Sequence, residues 1–290
     1  MTPVPAPLPS ERLVRVESQR FGGFEEFSGL LERECSGFAA RVRDALRLIA
    51  LHGILDPLTD TPIPSANLGL GNGNYREALG HEGIVSRQRA VLLTLRQLVQ
   101  GGRLPPFPQL RLYLPEVVTP FATRLASLAG GFQGSEYLPD PEDPLHDQLH
   151  HEDLCALSFA DASFDAVICN EILEHVYDLE AALFQMRRVL VPGGILLGTV
   201  PFAYSQNDSI VKARHRAAGE GPELLMEPEL HGNPVDPEHG SLVYRIPGWD
   251  LLDQLSAAGF RKAEVVALHS PSYGIVGTEI PYVLLYQAEA

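Results

Sequence analysis

The chain is poor in cysteine. Cys35, Cys155 and Cys169 are widely spaced and odd in number, so they supply neither a zinc ribbon nor a disulfide framework. A reducing, cytoplasmic setting is the expectation. Positive charge is also scarce: 22 Lys and Arg stand against 37 Asp and Glu, a formal net charge of -15. A field of that sign repels phosphate backbones, which argues against a nucleic-acid partner. No apolar run reaches the roughly 20 residues of a membrane-spanning helix, and the N-terminus has no apolar signal core, so no membrane partner is expected. Three motifs are missing as well: a Gly-rich phosphate loop ending in Lys-Ser/Thr, Gly-x-Ser-x-Gly, and Cys-x-x-Cys. Their absence argues against P-loop nucleotide hydrolysis, serine-hydrolase chemistry and dithiol redox chemistry.

What is there is a globular composition. The 290 residues are 45% hydrophobic, enough for one large domain, or one plus a small one, with no need of staples. Residues 1–9 carry a proline at nearly every second position and read as a tail. Residues 38–51 have helical periodicity through Phe38, Val42, Ala45, Leu46 and Ile49. Residues 56–74 are a loop rich in Pro and Gly, and 86–100 are helical again, ended by Gly101-Gly102. The region 1–103 is therefore expected to be an irregular, partly helical N-terminal region, with a second domain over 104–290.

That second domain centres on residues 153–202. Phe164 to Cys169 form a mostly apolar run suited to a buried strand. Asp178 is placed to cap a helix. Leu179, Ala182, Leu183, Met186, Val189 and Leu190 mark one face of that helix. Pro192-Gly193-Gly194 ends it and turns the chain. A second buried strand follows at 195–200. Strand, helix and strand in this order make a right-handed βαβ unit. Candidate strands elsewhere are 110–114, 134–138, a short 154–157, 263–268 and 282–287; candidate helices are 119–128 and 249–258.

The ordered set of Asp153-Leu154, Ser163-Phe164-Asp165, Leu173-Glu174-His175, Pro192-Gly193-Gly194 and Thr199-Val200-Pro201-Phe202 resembles the class I S-adenosylmethionine-dependent methyltransferases, in particular the small-molecule, type 11-like subgroup. The resemblance implies a Rossmann-like α/β fold: a seven-stranded, mostly parallel sheet with helices on both faces and an antiparallel last strand. It also implies S-adenosylmethionine as cofactor and a small-molecule methyl acceptor. Asn74-Tyr75-Arg76-Glu77 and Ser86-Arg87-Gln88-Arg89 are similar to a segment that follows a cysteine-bearing knuckle in relatives, but the cysteines are absent here.

The resemblance also places the cofactor residues. The acid after the first strand would be Glu116, although the usual glycine loop is replaced by Val117-Val118-Thr119-Pro120. Thr119 remains a natural N-cap for the next helix, and Pro120 suits its first turn. Glu136, about 20 residues further on, has the spacing of a carboxylate that accepts both ribose hydroxyls. Tyr137 would stack on adenine. Asp153 and Leu154 would meet the adenine edge, and Asn170 and Glu171 would flank the methionine end. For each there is a structural alternative: a solvated loop acid, a surface aromatic, a turn cap.

His175 is the main catalytic candidate beside the sulfonium, with His231 as a second base in the turn Leu230-His231-Gly232-Asn233-Pro234. A neutral imidazole suits proton removal at pH 7. A histidine tying a helix start to a neighbouring strand, and a surface turn, are the alternatives. His146 and His150 are four apart, but they lie in a stretch without hydrophobic pattern, and no metal site is expected. Lys212, Arg214, His215 and Arg216 form the one basic cluster. Residues 201–247 are a long insertion whose Gly and Pro content suggests a lid, with protease cleavage anticipated near 217–222. The reading is a small-molecule methyltransferase, with oxygen favoured as acceptor because no Asn/Asp-Pro-Pro-Tyr motif occurs. Alternatives are a cyclase or isomerase on the same scaffold, or a non-catalytic binding protein. Self-association into a homo-oligomer is left open.

Overall fold

The computed structural model describes residues 15–71, 73–216 and 221–290. The proline-rich stretch 1–9 and most of the anticipated cleavage segment lie outside them. Numbering the strands of the main sheet and the helices longer than one turn gives β1 Glu17–Phe21, α1 Phe24–His52, α2 Ser86–Gln100, β2 Arg111–Leu114, α3 Pro120–Ala126, β3 Gly131–Gly134, β4 Phe164–Asn170, α4 Leu179–Val189, β5 Leu190–Thr199, α5 Leu251–Ala257, β6 Lys262–His269 and β7 Val283–Glu289.

The seven strands form one sheet in the order β1-β6-β7-β5-β4-β2-β3. β3, β2, β4 and β5 are mutually parallel, whereas β7 runs antiparallel to β5 and β1 antiparallel to β6. This is a Rossmann-like α/β sheet with an antiparallel last strand. By contacts the chain divides into two units: residues 22–24, 102–264 and 286–290 in one, and 15–21, 25–101 and 265–285 in the other.

In the first of these, all seven residues of β4 are buried, as its apolar run requires. Its one acid, Asp165, is held by Arg111 of β2, whose guanidinium lies 2.6 Å from Oδ1 and whose backbone N–H donates to Oδ2 at 2.9 Å. α4 starts where Asp178 Oδ1 accepts from the Ala181 N–H at 3.0 Å. It buries Leu179, Ala182, Leu183, Met186 and Val189, the face read from the 3.6-residue spacing. The insertion 201–247 is not a structureless loop. It contains short strand pairs, among them Ile210–Val211 with Arg245–Ile246 and Leu230–His231 with Ser241–Leu242.

In the second unit, α1 buries Phe27, Leu30, Phe38, Val42, Ala45 and Ile49 along one stripe. Its C-terminal half packs into a cluster with Ile54, Ile63, Leu79 and Val276. Ser86, at the start of α2, donates its hydroxyl to the Val276 carbonyl at 2.9 Å and accepts the Val276 N–H at 2.8 Å.

Three expectations are corrected. Residues 154–157 are not a strand: Asp153 Oδ1 accepts from the Cys155 N–H at 2.8 Å and turns Leu154–Ala156 into a 3-10 helix, a local side-chain bond competing with a ladder. What remains of that strand is one bridge, Glu136 to His151. The second strand lies earlier than 134–138, at Gly131–Gly134. The seventh strand of the sheet is instead Glu17–Phe21, so the N-terminal region is more regular than its composition suggests, and α1 begins fourteen residues before the expected helix (38 minus 24).

Candidate functional site

The sheet fixes where a ligand can bind. From β2 the chain crosses to β3 on one side and later to β4 on the other, so the order reverses between β2 and β4. Crevices form outside the carboxyl ends of parallel strands at such a reversal. Glu116 follows β2, Glu136 follows β3, and Asn170 ends β4. At the reversal the Asn170 Nδ2 donates to Glu116 Oε1 at 3.0 Å. Asn170 is 2% exposed, and its Oδ1 has no hydrogen-bond partner among the described residues, an acceptor left open at a cost. Glu171, next to it, is held at φ 50°, a conformation that a residue with a side chain adopts at a cost in strain. Its N–H donates to the Thr199 carbonyl at 2.7 Å.

The glycine-poor loop is held by Glu136. Its Oε1 accepts the N–H groups of Val117 at 2.7 Å and Val118 at 2.9 Å. Burial pushes this carboxyl up, and the two amides oppose the shift. A glycine is needed here after all, but on β3: a Cβ at Gly134 would stand 2.8 Å from Val117 Cγ2. Thr119 caps α3 as expected, its Oγ1 accepting from the Ala122 N–H at 3.0 Å. Phe121 is in the core, whereas Val118 is 42% exposed.

Around the adenine-side candidates, Tyr137 is 48% exposed and Leu154 is buried. Asp153 has both oxygens engaged: Oδ1 caps the turn, and Oδ2 accepts from the Tyr177 hydroxyl at 2.7 Å. His151 lies beside Tyr137, and its Nδ1 accepts the Leu138 N–H at 2.9 Å.

The two histidines singled out as bases come together. Their ring centroids are 5.0 Å apart and nearly perpendicular. His175 sits in the 3-10 turn Leu173–His175 after β4, and His231 in the insertion. The insertion is stitched to that turn: the Tyr244 N–H donates to the Glu174 carbonyl at 2.8 Å, and His175 Nδ1 meets the Leu242 carbonyl at 2.9 Å. Between the histidines lies Glu174, which in the sequence stands out only as the middle of Leu173-Glu174-His175. It is 0% exposed, and neither carboxylate oxygen has a hydrogen-bond partner among the described residues. Burial pushes its carboxyl up to about 7, with His231 opposing. His175 is lowered, chiefly by burial. His231 is raised, chiefly by Glu174.

The remaining polar groups of the sequence analysis lie outside these two clusters. His146 Nε2 meets the Asp140 carbonyl and His150 Nε2 meets Glu152 Oε1, each at 2.9 Å. Of the basic cluster, Lys212 pairs with Glu229, and Arg214, His215 and Arg216 are exposed.

Residues 136–198 match the sequence profile of a family described as a methyltransferase domain. No curated protein matches the chain. Among solved structures, an S-adenosylmethionine-dependent methyltransferase from Mesorhizobium loti is 16% identical, with a TM-score of 0.41, covering 67% of this chain and 97% of that one. Streptomyces venezuelae DesVI is 15% identical, with a TM-score of 0.41, covering 71% and 93%. The 1,6-didemethyltoxoflavin-N1-methyltransferase of Burkholderia thailandensis, solved with 1,6-didemethyltoxoflavin and S-adenosylhomocysteine, is 16% identical, with a TM-score of 0.33, covering 67% and 74%.

Proposed function

We propose that this chain is an S-adenosylmethionine-dependent methyltransferase that transfers a methyl group to an oxygen of a small molecule. The observation that carries the reading is the open Asn170 Oδ1 beside Glu116 at the strand-order reversal, with Asn170 inside the segment that matches a methyltransferase domain. An ammonium group is what a buried acceptor and a carboxylate at that spot would satisfy, and the methionine end of the cofactor carries one. In this assignment Glu116, Asn170 and Glu171 receive the methionine end, and Thr119 starts α3. Glu136 takes the ribose hydroxyls, Tyr137 stacks on adenine, and Asp153 and Leu154 meet its edge.

Methyl transfer is a direct displacement, so the protein's task is alignment of acceptor, methyl and sulfur, with proton removal where the acceptor needs it. His175 and His231 stand on the acceptor side. Burial lowers the pKa of His175, which favours the neutral imidazole that a base requires. Oxygen is favoured by this imidazole pair and by the absence of an Asn/Asp-Pro-Pro-Tyr motif.

One observation favours a second reading, a binding protein without methyl transfer. Glu136 Oε1 already carries two loop amides, so part of the cofactor's partner is spent within the chain. Calorimetry with S-adenosylmethionine and S-adenosylhomocysteine separates the two: micromolar binding is expected, and a flat titration sinks the first reading.

Substituting Glu136 gives a sharper result, because its two duties divide between two variants. Glu136→Gln keeps a carbonyl oxygen for the Val117 and Val118 amides but replaces the other acceptor with a donor. A charge-assisted hydrogen bond is worth about 1.5–3 kcal/mol, and 1.4 kcal/mol is about tenfold. Cofactor affinity should fall at least about tenfold with the melting temperature little changed. Glu136→Ala should lower both, because it also frees the loop amides. Equal affinity of Glu136→Gln and the parent protein for S-adenosylhomocysteine removes Glu136 from the ribose site.

A further inference from the structure

We infer that Glu174, His175 and His231 form a binding site for one divalent transition-metal ion of the borderline-soft class that includes Zn2+. One potential ligand atom from each residue lies within 4.8 Å of the others. His175 Nε2 is 3.7 Å and His231 Nδ1 3.8 Å from Glu174 Oε1. Neighbouring ligands of a tetrahedral ion with bonds of about 2.0–2.1 Å stand roughly 3.4 Å apart, so each imidazole needs to approach Glu174 by only a few tenths of an ångström, and a rotation of the two rings closes the remaining edge between them.

Two independent features point to an ion. The first is the carboxylate. Glu174 is fully buried, and among the described residues neither oxygen has a hydrogen-bond partner; the two imidazoles stand off at 3.7 and 3.8 Å, and a buried carboxylate so loosely compensated costs several kcal/mol. A cation between the two imidazoles removes that cost. The second is the orientation of the rings. Metal-bound histidines nearly always give their other nitrogen to a carbonyl or carboxylate, which fixes the tautomer. Both histidines do so here: His175 Nδ1 meets the Leu242 carbonyl at 2.9 Å, and His231 Nε2 meets Glu229 Oε1 at 3.1 Å. With those nitrogens carrying the protons, His175 Nε2 and His231 Nδ1 turn lone pairs toward Glu174. Glu229 is itself paired with Lys212.

The ligand set names the class of ion. Two imidazoles with one carboxylate suit zinc, iron, cobalt or nickel, whereas Mg2+ and Ca2+ prefer oxygen ligands throughout. Three protein ligands leave a coordination position open, as in catalytic sites. If the methyltransferase reading holds, an acceptor oxygen can occupy that position, and with the ion bound it is the metal, not a free imidazole, that would ease loss of the acceptor's proton, which would select acceptors bearing a hydroxyl or carboxylate; the metal site itself does not depend on that reading.

The test is direct binding to the tag-free full chain after chelator dialysis. Co2+ titration should give a visible absorption band saturating at one equivalent, displaced by Zn2+. Glu229→Gln should weaken Co2+ binding by about 10–100-fold, and Glu174→Gln and His231→Ala by more. A His146→Ala/His150→Ala double variant should bind as the parent does. His231 and Glu229 lie on the partly exposed insertion, so their variants keep the test open if Glu174→Gln does not fold. Absence of one-equivalent binding, or binding indifferent to His231→Ala and Glu229→Gln, overturns the inference and leaves a carboxyl–imidazole pair without a metal.

Discussion

Gly198→Ala is expected to give little or no soluble, folded protein. Gly198 lies in β5, paired with Cys169 of β4 on one side and with Tyr286 of β7 on the other. A Cβ there would fall inside the contact distance of the Cys169 carbonyl oxygen, and it would also meet the Tyr286 hydroxyl at 2.5 Å. The Tyr286 hydroxyl reaches across the glycine to that same carbonyl, at 2.5 Å. All three residues are buried, so the strands must part to admit a methyl group. Overpacking a core commonly costs about 1–3 kcal/mol when side chains can give way. Here the obstacle is backbone, and the total stability of a protein is only about 5–15 kcal/mol. Tyr286→Phe added to Gly198→Ala should not restore folding, since the carbonyl remains in the way. Soluble Gly198→Ala protein unfolding at the parental denaturant midpoint would show that the strands accommodate the methyl.

The consequence reaches the site, because Cys169 immediately precedes Asn170 and Glu171. The hydroxyl-to-carbonyl bond fixes the carboxyl end of β4, and with it the open Asn170 Oδ1 and the strained Glu171. In the sequence, Gly198 looks like an ordinary small residue inside an apolar strand. Its need is visible only once two neighbouring strands and a tyrosine from far along the chain are placed around it.

The same distinction between local and long-range causes separates what the sequence disclosed from what it hid. β4 and α4 were legible because their signals are local: an apolar run, an Asp178 cap, a 3.6-residue stripe. The Thr119 cap was legible for the same reason. β5 was legible only from Ile195: the strand starts at Leu190 and runs through Pro192-Gly193-Gly194, the expected turn, with an irregularity there in its pairing to β4. β1 was not legible, because Glu17-Ser18-Gln19-Arg20-Phe21 alternates weakly and depends on pairing with β6. The first half of α1 was hidden because residues 32–37 put no large apolar side chain on the stripe between Leu30 and Phe38. At 154–157 a strand pattern lost to one Asp153 hydrogen bond. The residues proposed for the cofactor were found by resemblance. The Glu174, His175 and His231 cluster could not be found from spacing, since a hairpin within the insertion brings His231 back. Glu174 stood in plain view, but its burial between two imidazoles, with no hydrogen-bond partner among the described residues, is a property of the fold.

Arg89→Met is expected to lower stability by at least about 3 kcal/mol, a melting-temperature drop of roughly 6–12 °C at about 2–4 °C per kcal/mol. Arg89 is 2% exposed in α2. Its hydrogen bonds run to three backbone carbonyls: Leu79 at 2.7 Å, Ile84 at 2.8 Å and Gly274 at 2.8 and 3.2 Å. Burial lowers the pKa of its guanidinium, so the cation is held against a desolvation cost by carbonyl dipoles. Gly274 is at φ 62°, where a side chain is strained, and a Cβ there would crowd Arg89 Nε at 3.0 Å. Methionine matches the apolar stem of arginine but takes a donor from each of three carbonyls, at about 1–3 kcal/mol for each left buried and unsatisfied. Arg89→Lys should fall between the two proteins, because one ammonium cannot span three acceptors as the planar fork does. Backbone amides at 274–276 should exchange hydrogen faster in Arg89→Met, since this segment is tied to α2 through Arg89 and through the Ser86–Val276 pair. A melting temperature within about one degree of the parent, well below the shift expected from the lost bonds, would mean that the carbonyls find other donors and that Arg89 is not the tie between α2 and Gly274.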